Sequence, residues 1–285
     1  MKNFKKVVLT IMLGILVLLP SAVYAKTEVK SEEELKTATK NGGDIVLQND
    51  ITLKSALEIK GSNVIIDLNG KTITVDENGY FDLFEGKLEF TGTGKIKDIR
   101  VRDITSTIWV EGSNDKTAKD FSTLTIGENV TIETTQWGVT IWGNPIGYGA
   151  TVNFNGKINA TGDGGAITIT GNLKNDGKLE NAPIINIGKT AKVIAEKGIT
   201  LYGAGIGEWN IQGGEYTGES VIGIKSGKLV VNDGVFTAYE MDYDKGILKV
   251  YDINLDNFEF SNTTIEKDYC SEETTKKYNR SFCFE

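Results

Sequence analysis

The sequence predicts an all-β chain wound as a solenoid of parallel rungs, and three observations carry that prediction. From Asp44 to about Ala238 the chain is a succession of short runs rich in Ile, Val and Thr, separated by Gly, Asn and Asp, with no long amphipathic helix among them. Glycine makes up 33 of 285 residues, about 12 per cent against an average near 7 per cent, and the excess falls at the turns rather than in one biased tract. Two families of strand phrases also recur in step.

The first family holds GVTIWGN at 138–144, AITITGN at 166–172 and GITLYGA at 198–204. Aligned on its third apolar position it gives Ile141, Ile169, Leu201 and Ile224, with steps of 28, 32 and 23 residues. The second family is LTI at 124–126, VNF at 152–154, INI at 185–187 and WNI at 209–211, with steps of 28, 33 and 24 residues. Two series advancing by the same irregular period are expected when each turn of a solenoid gives one strand to each of several faces and extra residues swell the corners. A β-sandwich supplies no reason for that lockstep. Eight or nine turns at the strand spacing of about 4.8 Å make a rod on the order of 40 Å long.

Strand parity assigns the faces. Val139 and Ile141 point into the coil, Thr140 and Trp142 outward; Ile167 and Ile169 point in, Thr168 and Thr170 out; Ile199 and Leu201 point in, Thr200 and Tyr202 out. Thr140, Thr168 and Thr200 are therefore expected in one outward column, beside a second of Trp142, Thr170, Tyr202 and Lys225. In the second family Asn153, Asn186 and Asn210 continue a column begun by Thr125, and Trp209 points inward.

The remaining elements are taken in chain order. Residues 1–25 read as a secretory signal peptide: Lys2, Lys5 and Lys6 precede an apolar run from Val7 to Leu19 that ends in Pro20 and the small-residue site Val23-Tyr24-Ala25. The run is too short for a membrane span, and no second one comes after it. Residues 26–43 form a lead and cap, in which Ser31-Glu32-Glu33-Glu34 fits a capping box, Leu35 and Ala38 give one apolar side, and Asn41-Gly42-Gly43 stops a short helix. Such a helix blunts the open end of a stack of strands. The coil is assigned to 44–240 and a C-terminal cap or tail to 241–285. The tail holds the only two cysteines, Cys270 and Cys283, placed to close a small disulfide loop in an oxidising compartment; two free or intermolecular thiols are the alternative.

The run ELKTATKNGGDIVLQNDITLKSALEIKGSNVIIDLNGKTIT resembles the opening turns of secreted bacterial proteins with the single-stranded right-handed parallel β-helix of the pectin-lyase-like superfamily, in which a short cap helix precedes such strands. The resemblance in style covers most of Glu34 to Ala238. It implies a fold and leaves activity open, because that scaffold carries lyases, hydrolases, adhesins and spacers. Hydrolases of the superfamily use clustered aspartates with a Gly-His-Gly and an Arg-x-Lys, and its pectate lyases pair an arginine or lysine base with calcium-binding aspartates. This chain has no histidine, and only Arg100, Arg102 and Arg280 as arginines.

Lack of histidine removes the usual serine and cysteine triads, histidine-ligated zinc and the commonest general base. Removing the three signal-peptide lysines takes the formal charge from −8 to −11, which argues against nucleic acid or an anionic membrane as partner. Carboxylate or lysine chemistry remains. The insertion at 97–120 gathers Asp98, Arg100, Arg102, Asp103, Glu111, Asp115 and Asp120 around Trp109, either as a lyase-like acid and base beside an aromatic or as a solvated corner. Gly203-Ala204-Gly205-Ile206-Gly207 lacks the spacing of a nucleotide loop. Asp163 and Asp233 sit in turn sequences that explain them without calcium. No cofactor or metal is expected.

The candidate site is aromatic: Trp137, Trp142, Tyr148 and Tyr202, as rigid outward rings suited to stacking on sugars, with burial of Trp142 beneath the 143–149 corner as the competing reading. The expected function is a secreted, extracellular or surface-associated protein without catalysis, binding carbohydrate or serving as an adhesin. Alternatives are a polysaccharide lyase or hydrolase of the same fold, and a passive rod that binds host or cell-envelope proteins.

Overall fold

The structure, a computed structural model, describes residues 26–101, 105–143, 147–171, 180–224 and 227–238, and the backbone of strands at 246–248, 258–260 and 263–267. Residues 1–25, read above as a signal peptide, and Arg102, Asp103, Asn144, Lys225, Cys270 and Cys283 lie outside the described residues.

The chain opens with β1 (Thr27–Val29) and a helix, α1 (Glu32–Asn41). Ser31 caps α1 by accepting from the Glu34 amide at 3.2 Å, and the Glu34 carboxylate accepts from the Lys30 amide at 2.6 Å. This satisfies two donors at the helix start. Gly42 ends the helix at φ 71°, a left-handed backbone that glycine adopts without penalty. Leu35, Ala38 and Thr39 are buried against the first rungs.

After α1 the chain winds as a parallel β-helix. Its strands fall into three columns, and every pairing between strands among the described residues is parallel. The first column runs from β1 through β2 (Gly43–Leu47), the second half of β4 (Leu57–Asp67), the second half of β6 (Phe81–Thr91), β9 (Ser122–Ile126), β12 (Ala150–Phe154), β15 (Ile184–Ile187), β17 (Glu208–Ile211) and β19 (Lys228–Val231) to β22 (Phe258–Phe260). The second joins β3 (Ile51–Leu53), β5 (Thr72–Val75), β7 (Gly94–Asp98), β10 (Val130–Thr134), β13 (Lys157–Ala160), the first part of β16 (Lys192–Gly203), the first part of β18 (Glu215–Ile224), β20 (Gly234–Ala238) and β23 (Thr263–Lys267). The third, which carries the site, stacks the first halves of β4 and β6, then β8 (Ser106–Glu111), β11 (Trp137–Trp142), β14 (Ile167–Ile169), the last part of β16, the last part of β18 and β21 (Gly246–Leu248).

Alternation fills the interior. Ile45, Ile66, Phe90, Ile126, Phe154, Ile187, Ile211 and Val231 stand on one another in register down the first column, each at most 1 % exposed. A fully buried side chain of this kind contributes roughly 1.5–3 kcal/mol, so each rung adds a similar increment. The rungs depend on their neighbours for burial, as in any solenoid. Trp209 lies in the core, fully buried, and Tyr216 stacks on Phe236 with ring centroids 4.7 Å apart.

The second strand family has the register its spacing predicts. Leu124, Val152, Ile185 and Trp209 align, and so do Thr125, Asn153, Asn186 and Asn210. The amides form a ladder: Asn186 donates to the Asn153 carbonyl oxygen at 2.9 Å, and Asn210 donates to that of Asn186 at 3.1 Å.

The first family differs from its predicted register. Ile141 does stand on Ile169, but Ile169 stands on Gly203 rather than Leu201, and Leu201 on Ile222 rather than Ile224. The register of β16 against β18 also shifts between Ala195 and Ile199. A displacement of two residues preserves inside and outside, so the apolar pattern could not expose it. Thr168 therefore neighbours Tyr202, and the column expected through Thr200 does not form. Nor are the threonines exposed: Thr140, Thr168 and Thr200 are fully buried, and the Thr140 hydroxyl meets that of Ser106 at 2.6 Å.

Candidate functional site

Parity on the third column leaves two outward rows near its N-terminal end. One holds Glu58, Asp82, Trp109 and Thr140 in register; the other holds Lys60, Phe84, Glu111 and Trp142. Between them lies a cleft of about 330 Å³ lined by Tyr80, Asp82, Thr105, Trp109, Glu111 and Trp142. Asp82 is shared with an adjoining hollow of about 250 Å³ lined by Glu58, Ile59, Lys60 and Phe84. Together they form a groove along the rod, of the size class that small ligands occupy.

The aromatic part is a perpendicular pair. Trp109 and Trp142 have ring centroids 5.5 Å apart and planes at 89°, the edge-to-face geometry that the ring quadrupole favours. Trp142 is 44 % exposed. Beside it the Gly112 amide donates to the Trp142 carbonyl, and Ser113 and Tyr148 exchange backbone hydrogen bonds of 2.9 and 3.0 Å. Gly147 lies against Gly112 so closely that a side chain on Gly112 would strike the Gly147 backbone. Glycine at both positions allows that approach.

The four aromatics expected at the site do not come together. Trp142 forms the cleft. Trp137, at the other end of β11, pairs with Tyr202 at 6.3 Å and 87° and is covered by the Gly164 backbone. With about 3.3 Å of rise per residue along a strand, the ends of β11 are on the order of 15 Å apart, so these are two separate pairs. Tyr148 is half-buried in its bridge to Ser113.

The insertion divides as well. Asp98 and Arg100 form a buried ion pair, with Arg100 Nε and an NH2 donating to the two carboxylate oxygens at 2.9 and 2.5 Å. Arg100 also donates to the Ser106 carbonyl, Thr107 donates to Asp98, and Gln136 donates to the Arg100 carbonyl. This clasp fixes a corner. Asp115 accepts from Thr117 in an exposed turn. Of the described residues of that cluster, Trp109 and Glu111 line the cleft.

The residues that complete the site come from earlier rungs: Glu58, Tyr80, Asp82 and Phe84. A signal for them exists, since Leu57-Glu58-Ile59 and Phe81-Asp82-Leu83 repeat an apolar–acidic–apolar phrase at the same 24-residue step as Val64 and Leu88.

Electrostatically the cleft is acidic. Burial, then the nearby Glu111 and Glu58 carboxylates, push the Asp82 carboxyl up to about 6. Burial also raises Glu111, and raises the Tyr80 phenol together with Asp82 and Glu58. Asp82 Oδ1 is buried with no hydrogen-bond partner among the described residues. Lys60 is the one cation among the described lining residues, and its ammonium sits 5.1 Å from the Phe84 ring centroid. Among the described residues no three carboxylates converge closely enough to hold a metal ion. Chemically the cleft offers aromatic faces, carboxylate acceptors and a carboxyl that changes charge near neutrality.

Comparison with protein-family models, with curated proteins and with solved structures gives no match. The reading of the site rests on its own geometry.

Proposed function

We propose that this chain is a secreted, non-catalytic carbohydrate-binding β-helix of the pectin-lyase-like kind, with the Trp109–Trp142 cleft as its sugar-binding surface. One observation carries the reading: an exposed tryptophan, held perpendicular to a second one on rigid strands, opens onto a groove lined with carboxylate acceptors. Sugar rings present C–H faces that stack on indoles and hydroxyls that donate to carboxylates. The rings are fixed before binding, so little conformational freedom remains to be lost. No helix among the described residues is long and apolar enough to cross a membrane. Export through the N-terminal segment is part of the proposal, checked by N-terminal sequencing of protein recovered from culture medium, which should begin at Lys26.

The test is a glycan array followed by titration calorimetry on any ligand found. Trp142→Ala and Trp109→Ala should each weaken binding about tenfold, corresponding to about 1.4 kcal/mol, with an unchanged circular dichroism spectrum. Trp137→Ala should leave affinity alone. An array without ligands, or affinity indifferent to both cleft tryptophans, rejects the assignment.

A second reading, glycoside hydrolysis, is favoured by one feature: a carboxyl held protonated up to about 6 beside Glu111 has the character of a general acid next to a second carboxylate. New reducing ends released from a polysaccharide panel, and lost in Asp82→Asn, would establish it.

A further inference from the structure

We propose that the groove selects a cationic glycan, one bearing free amino groups, rather than a neutral or uronic-acid polymer. This rests on the carbohydrate-binding reading above and names the class of sugar. Three carboxylates, Glu58, Asp82 and Glu111, occupy successive rungs of one face, while Tyr80, Phe84, Trp109 and Trp142 stand among them.

Some carboxylates on the coil meet a cation directly, as in Lys95–Glu133 at 2.6 Å and Lys192–Glu215 at 2.8 Å, and the buried Asp98 has its arginine. In the groove Asp82 keeps one oxygen buried and unpartnered, a costly state that a donor from a ligand would relieve. The one described lysine of the lining lies over Phe84, showing that this face already accommodates an ammonium against an aromatic ring.

The carboxylates also succeed one another along the rod rather than around a point, which fits amines repeated along a polymer and not a single metal ion. A glucosamine unit matches both halves of the site: its ring face stacks on indole, and its ammonium donates to carboxylates through charge-assisted hydrogen bonds. A uronic-acid polymer would bring like charge into the same groove.

The experiment compares three probes by calorimetry at pH 6 and low salt: a glucosamine oligomer, its N-acetylated counterpart and an oligogalacturonide. The expected order is the glucosamine oligomer at least tenfold tighter than the acetylated one, with the oligogalacturonide weakest. Asp82→Asn and Glu111→Gln should each weaken the glucosamine oligomer more than the acetylated one, removing most of that preference. Glu58→Gln, at an exposed position, serves should a buried variant fail to fold. Trp142→Ala should weaken both amino and acetylated oligomers together. Equal affinities for the first two probes, or preference for the oligogalacturonide, overturns cation selection and leaves the sugar-binding reading standing. Absence of binding to all three, with no ligand on the array, removes both.

Discussion

At the scale of single residues the decisive one is Asp82. Its position on β6 follows from parity, since Phe81 and Leu83 on either side are fully buried. Its environment follows from stacking, because Glu58 precedes it in the column and Glu111 lies one rung on in the next row. An acid whose folded pKa is raised above its ordinary 3.8 holds a proton that the unfolded chain has already released, so stability falls as pH rises through about 4 to about 6. The charged groups facing it are Glu58, Lys60 and Glu111, with Arg100 acting on the neighbouring Tyr80. Asp82→Asn should therefore melt about 2–4 °C above the wild type at pH 7, with the difference vanishing near pH 4 in differential scanning calorimetry. A side chain retained against stability is the expected mark of function rather than of folding. None of this was readable from Asp82 alone; the 24-residue step gives its column, but burial and the unpartnered oxygen depend on side chains from three rungs.

At the scale of elements, the corner after β7 shows how sequence proximity misleads. Residues 97–120 look like one charged cluster, yet the Asp98–Arg100 ion pair is buried while Glu111 lines the groove. Arg100 touches Ser106 and Thr107's partner Asp98, and its carbonyl receives Gln136 from the rung above. Arg100→Ala leaves a buried carboxylate without its partner, which costs roughly 3–5 kcal/mol. Asp115→Ala, in an exposed turn, should fall within about 0.5 kcal/mol of wild type. Chemical denaturation of both variants checks the contrast. The Asn153–Asn186–Asn210 ladder was legible because identical side chains at equal strand positions need only the correct register to meet. The threonine column was not, because β16 joins it displaced by a residue pair, which leaves parity intact.

At the scale of the whole molecule the rod has a covered beginning. α1 closes it through Leu35 and Ala38, and Glu32 accepts from the Lys54 and Ser55 amides at 3.1 Å, tying the cap to the first turns. Leu35→Asp should unseat the helix and expose the edges of the first strands, β1 and β3, as templates for pairing with other chains. Concentration-dependent association, read by light scattering with multi-angle detection, is the expected outcome; a monodisperse monomer would show that α1 is dispensable for closure.

The sequence by itself determined the solenoid, its inward and outward faces, the cap helix, the buried Trp209 and the asparagine ladder. Each of these is set by period and parity, which repeat locally and are written along the chain. Only the tertiary structure decided that Trp142 meets Trp109 rather than Tyr202, that the threonines are buried, and that Asp82 and Glu111 share a cleft. Those outcomes depend on how many residues each corner absorbs before the next strand begins, and a change of two there moves every neighbour without changing which way any side chain points.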